Sequence, residues 1–399
     1  MTRFGPAILA LALVPLAAGC PAPRTRPPAV VADRVDAADG VDGAAAGYLA
    51  ERGMAPEDYV VSKFRDHDIV FLGEHHFIRQ DVEFVRSLIP LLYENGVTDL
   101  GIEFGCSELQ AEADALVAAP TYDEGRARRL MFKWGSFWPY VEYLDLYRAA
   151  WALNRSLPPG APRFRVVGLD YRARWNNLQE KMTPALWRRI FPEGPRDLHM
   201  ADAVTREFVR KGRKALVYAG YRHAFTRFHG PEFDVRRGKY LWRNDDVMGN
   251  RVYARIGARA MTVLLHFPWK IVEGPRTYAR PLDGAIDRAA RACPGGRVGF
   301  DVAGSPLAGF GDPDSEFAKF NRRFVFGDLC DGYVRLGDLE DYEGCAVDPL
   351  FVTEENFAEA VAFLPNVHIK RKLFTPAQFL AKFRWDADFR RLYPDLEEP

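Results

Sequence analysis

The residues that could do chemistry sit at the ends of apolar runs. Ile69-Val70-Phe71-Leu72 leads through Gly73 into Glu74, His75 and His76. A carboxylate beside an imidazole can fix the ring's tautomer or bind a cation, and a neutral imidazole suits general-base work or metal ligation. Glu103 ends Leu100-Gly101-Ile102, Asp170 ends Val166-Val167-Gly168-Leu169, His223 lies just past Ala215–Gly220, and His266 ends Met261–Leu265. Any one of these alone reads as a capping or hydrogen-bonding group. Together they suggest a site, because parallel strands present their carboxyl ends along one edge of a sheet. Adjacent residues in an extended segment point opposite ways, so one of His75 and His76 is expected to enter the site and the other to be structural.

The elements that must position these groups follow from periodicity. The run 69–72 reads as a strand buried on both faces, with Gly73 ending it and freeing the backbone to turn. Val82, Val85, Ile89 and Leu92 then form one apolar helical stripe, closed by Asn95-Gly96. Three more strands end at Glu103, Asp170 and Gly220, with helical patterns between them, one of which Ser107 could cap. Such alternation predicts an α/β fold, a mainly parallel sheet flanked by helices with helical and irregular insertions. Trp134, Phe137 and Trp138 lead into a helix whose face carries Tyr140, Leu144, Tyr147 and Trp151. That stretch reads as packing on the sheet, or more sharply as an apolar wall over a ligand. Beyond residue 230 the pattern weakens into a C-terminal extension, whose last helix opens at the capping-box sequence Thr375-Pro376-Ala377-Gln378.

Composition narrows the function. Lys+Arg and Asp+Glu are 54 each in 399 residues, so no basic stripe points to nucleic acid. Arg3 precedes an apolar run from Ala7 to Ala18 that ends Leu16-Ala17-Ala18-Gly19-Cys20, which resembles a bacterial lipoprotein signal with Cys20 as the lipidated residue. The expected organisation is a signal over 1–20, a flexible tether over 21–47 and one domain over 48–399, with its core at 66–230 and the extension after it. The expected location is the bacterial cell envelope, anchored to a membrane through the lipid. In that oxidising setting Cys106, Cys293, Cys330 and Cys345 could pair, and Cys330 with Cys345 is a candidate bridge. A G-x-S-x-G elbow, an H-E-x-x-H helix and a P-loop are all absent, so a hydrolase here should activate water directly or through a metal.

Gly73-Glu74-His75-His76 matches the G-E-x-H signature of the erythromycin esterase/ChaN/Tiki superfamily. Gly101-Ile102-Glu103, Val167-Gly168-Leu169-Asp170, Arg196-Asp197-Leu198-His199-Met200-Ala201 and Gly220-Tyr221-Arg222-His223 follow in the family's order. The resemblance covers about residues 66–223 and looks closest to the ChaN-like branch. It implies His76 as the first-motif histidine, with Glu74 and Glu103 as acidic partners and His223 as the second histidine. It also implies Arg196 holding an anionic ligand group, with Asp170, Tyr171 and Trp138 nearby. Asp170 stands where ChaN-like proteins usually have Asn. The implied activities are ester hydrolysis by a His-activated water, metal-dependent peptide hydrolysis with His76, Glu103 and His223 as ligands, and haem or iron binding. In the haem-binding case His75, His76 or Tyr171 would be axial candidates and the aromatic stretch near Trp138 the porphyrin wall.

Overall fold

The computed structural model describes residues 38–234, 239–242, 246–272, 277–394 and 396; Cys20, the signal over 1–20 and the tether as far as residue 37 lie outside the described residues. The strands are β1 (Ile69–Glu74), β2 (Asp99–Cys106), β3 (Arg165–Asp170), β4 (Ala215–Gly220), β5 (Pro231–Asp234), β6 (Lys239–Trp242), β7 (Ala260–Leu265), β8 (Trp269–Lys270), β9 (Tyr278–Ala279), β10 (Val298–Asp301) and β11 (Gly332–Arg335). Seven of them form one sheet in the order β10-β11-β7-β1-β4-β2-β3. Every pairing in it is parallel except β10 with β11. β5–β6 and β8–β9 are separate antiparallel hairpins.

Alternation along β1 explains the layering. Val70 and Leu72 join the large core beneath the helices Arg79–Glu94 and Val141–Ser156, whereas Ile69 and Phe71 join a second core beneath Arg196–Glu207 and Met248–Ile256. A strand covered on both faces must be apolar throughout, as 69–72 is. The crossover from β1 reaches β2 beyond β4, whereas the chain leaving β4 crosses to β7 on β1's other side. The chain therefore reverses its winding around β1 and β4, the place in an open α/β sheet where a crevice forms at the carboxyl ends.

Several expectations are corrected. Gly73 lies inside β1, paired with Ala219 and Leu264, and does not make the turn. Close packing explains it instead, because a Cβ there would stand 2.6 Å from Leu264 Cδ2 and 3.0 Å from the Tyr221 backbone. The turn is made at Phe77, whose φ of 74° puts a non-glycine residue in the left-handed region. Phe77 is held there by its ring against Trp138 and Tyr140, at 4.8 and 4.9 Å, and by the Cys345 N–H donating to its carbonyl at 2.8 Å.

The residues read as a C-terminal extension, in which Met261–Leu265, Val298–Asp301 and Gly332–Leu336 suggest strands, supply β7, β10 and β11; they complete the sheet, with β7 directly beside β1. The described residues open in the helix Ala38–Arg52, upstream of Tyr48, which buries Ala45 and Leu49. Ser107 caps no helix; its hydroxyl meets His199 Nε2 at 2.9 Å. Cys330 and Cys345 form no bridge, and all four cysteines of the described residues are free and separately buried. Thr375 does cap its helix, accepting from the Gln378 N–H at 3.2 Å, while Gln378 Oε1 accepts from the Phe374 N–H at 2.8 Å.

Candidate active site

Glu74, the last residue of β1, is fully buried. Its carboxylate accepts from Tyr143 Oη at 2.7 and 2.9 Å, from Tyr218 Oη, and from His76 Nδ1 at 2.7 Å. Burial first, and then Glu74, push both phenols well above the ordinary tyrosine range, so both remain donors. A carboxylate only accepts, so Nδ1 is the ring nitrogen assigned the proton in neutral His76 and Nε2 keeps its lone pair. Gly220, register partner of Glu74 in β4, leaves room for the ring against the strand end. A Cβ on Gly220 would stand 2.5 Å from His76 Cε1 and 2.9 Å from Nε2.

Glu103 on β2 joins the two histidines. Its Oε2 accepts the Gly220 N–H at 2.9 Å, and its Oε1 accepts Arg196 Nη2 at 3.0 Å and lies 3.4 Å from His223 Nε2. Burial alone would raise this carboxyl. His223, then Arg196 and His76, outweigh burial and hold it down at about 2. His223 in turn is anchored by Asp197, Nδ1 to Oδ1 at 2.7 Å, and Asp197 Oδ1 also accepts the Met248 N–H at 2.8 Å. Burial favours the neutral ring, but Asp197 and Glu103 together prevail and raise His223 above its usual value. The site thus holds two imidazoles, each with Nδ1 on a carboxylate, around one ionised glutamate. His76 is arranged as an acceptor at Nε2 and His223 as a donor.

The other expected site residues divide. Arg196 is buried inside the site rather than open to a ligand anion, since Nε bonds Asp170 Oδ2 at 2.7 Å and Nη2 bonds Glu103. Asp170 Oδ2 also accepts Trp134 Nε1 at 3.0 Å, while Asp170 Oδ1 has no partner among the described residues. Trp138 touches His76 edge-on at 5.0 Å but stacks on Phe104 inside the core and is 3% exposed, so packing is its role and no flat ligand can lie against it. Tyr171 donates to the Gly194 carbonyl at 2.5 Å and packs on His199. His75 turns away from His76 to meet Tyr393 Oη at 3.0 Å and the Phe267 ring, and burial lowers it to about 3. His266 belongs elsewhere, buried between Tyr333 and Asp287 at 3.0 and 3.1 Å.

Sequence reasoning missed Tyr143, Tyr218 and the close approach of His76 to Gly220. A hydroxyl-bearing residue within the apolar run of β4 was the one available signal for Tyr218. The donor set does not fit a divalent ion. Glu103 already carries the Arg196 guanidinium, and among the described residues no three His, Cys, Asp or Glu groups stand in ligating arrangement.

No family model matches the chain, and no curated protein matches it in sequence. Among solved structures, a Bacillus cereus protein superposes with a TM-score of 0.51 at 13% identity, over 77% of this chain and 99% of that one. The chain shares that protein's fold. An erythromycin esterase, EreC, gives a TM-score of 0.49 at 14% identity, over 74% of this chain and 95% of its own. The haem-binding ChaN of Campylobacter jejuni gives 0.34 at 14% identity, over 53% of this chain and 86% of its own.

Proposed function

We propose that the chain is a hydrolase of ester or amide bonds that activates water directly. The observation carrying this reading is the 2.7 Å bond from His76 Nδ1 to the buried Glu74, which leaves Nε2 free to act as base at the sheet's carboxyl edge. His76 Nε2 takes a proton from water as the water oxygen attacks the substrate carbonyl. His223 gives its Nε2 proton to the departing oxygen or nitrogen, and Glu103 stabilises the charge on both rings. No serine or cysteine nucleophile is needed. An exported chain anchored through a lipid on Cys20 completes the reading, supported by the apolar run before that residue.

The test is a panel of esters and peptides, assayed with chelator and with added divalent ions, for the native chain and His76→Asn. Turnover should persist in chelator and fall about 10³-fold in the variant, within the range for a lost general base. Absence of turnover on every substrate, or activity only with metal, would overturn the proposal. Haemin added to the same protein distinguishes the binding alternative. A Soret shift lost in the His75→Ala/His76→Ala double variant would favour haem.

A further inference from the structure

The C-terminal segment differs in charge from the rest of the molecule. Between residues 370 and 391 stand seven Lys and Arg against two Asp, with Asp395, Glu397 and Glu398 following them, in a chain whose formal net charge is zero. The helix Pro376–Asp386 buries Phe379, Leu380 and Phe383 and exposes Gln378, Ala381, Arg384 and Trp385. Trp385 is 55% exposed at its end, and Phe374, just before its start, is 73% exposed. The Phe374 N–H donates to Gln378 Oε1, which fixes the backbone at the start of this helix. Lys372 and Arg390 are exposed, Arg371 is exposed but paired with Glu180 at 2.5 Å, and the Arg391 guanidinium lies 4.1 Å from the centre of the Trp385 ring. Two large aromatic side chains in water are costly unless something covers them, and a rim of cations specifies what that cover carries.

We propose that this face is a peripheral docking surface for an anionic phospholipid membrane. Trp385 and Phe374 insert at the headgroup level and the surrounding Arg and Lys bind the lipid phosphates. Aromatic rings with one apolar and one polar side favour that depth, and basic residues add electrostatic attraction. Among the described residues no helix is long and apolar enough to cross a membrane, so the segment lies on the surface. Its Tyr393 bonds His75, the neighbour of His76, so the docking face is tied to the same edge of the sheet as the site. The inference does not depend on the hydrolase reading.

The experiment uses the full chain on vesicles of phosphatidylcholine with phosphatidylglycerol, both carrying brominated acyl chains that quench nearby tryptophan. Quenching of the native chain is expected, with most of it lost in Trp385→Phe whatever else holds the protein to the vesicle. In Arg384→Glu/Arg390→Glu the same signal should fall, as it should when phosphatidylglycerol is omitted. Quenching that is absent in the native chain, or unchanged in Trp385→Phe, would overturn the proposal; loss that is independent of lipid charge would overturn its electrostatic part.

Discussion

Gly220→Ala is the sharpest perturbation of the site that leaves its polar groups in place. The added Cβ would meet His76 Cε1 at 2.5 Å, where ordinary contact begins at 3.4 Å, so the ring must retreat by about 0.9 Å. The backbone does not object, because φ of −51° and ψ of 135° suit alanine, and the N–H still donates to Glu103. The displacement falls instead on the 2.7 Å bond to Glu74 and on the position of Nε2. A misplacement of about 1 Å costs about 10²-fold in rate, equivalent to about 2.7 kcal/mol of barrier. Overpacking should cost about 1–3 kcal/mol of stability. Turnover on the best ester of the panel, with urea midpoints in parallel, measures both. Gly73→Ala is the control, because its Cβ crowds Leu264 and Tyr221 rather than His76 and should cost stability without the same rate loss. An unchanged kcat in Gly220→Ala, or equal rate losses in both variants, would refute the proposed packing of His76.

Stability should peak near pH 6.5. His75, lowered to about 3 in the folded chain, stays neutral while the unfolded chain protonates, so stability falls as pH drops from about 6.5, and His75→Phe should blunt that limb. His223 is raised, so its contribution is complete below the unfolded value and is lost as pH rises through the folded one. Glu103, lowered to about 2, contributes about 3 kcal/mol that is present above about pH 4.5 and disappears toward pH 2, a loss that Glu103→Gln should not show. Asp287→Ala strands buried Arg335 and His266, bonded to it at 2.9 and 3.1 Å, and should cost about 3–5 kcal/mol in urea unfolding with kcat per folded molecule unchanged. Denatured without reductant, Cys106, Cys293, Cys330 and Cys345 should all titrate as thiols; blocked Cys330 and Cys345 would contradict their separate burial.

The parts of the fold legible in the sequence were those written in short-range pattern. β1 is an unbroken apolar run because it is covered on both faces, and Glu103, Asp170 and His223 stand out as polar groups ending such runs. Asp197 was visible only as part of a motif, and its bond to His223 depends on how the helix Arg196–Glu207 packs. Tyr143 and Tyr218 could not be assigned to Glu74, because the first reaches it through the packing of a distant helix and the second through the pairing of β4 with β1. The motif resemblance places Arg196 on an anionic group of a ligand, but the anions it binds are Glu103 and Asp170, which a motif cannot show. In the last third the runs of β7, β10 and β11 are legible as strands, but their order in the sheet and the antiparallel entry of β10 are set by packing that short runs do not record. The turn at Phe77 breaks the rule that a left-handed position favours glycine, and aromatic packing from elsewhere is what permits it.

The central claim concerns one nitrogen, and ¹⁵N NMR of the imidazole rings reads it without any substrate. With Glu74 holding Nδ1, neutral His76 should appear as the Nδ1–H tautomer, and Glu74→Gln should shift the balance toward Nε2–H. A native His76 found as Nε2–H would leave no lone pair for water at the site, and water activation by this residue would have to be abandoned.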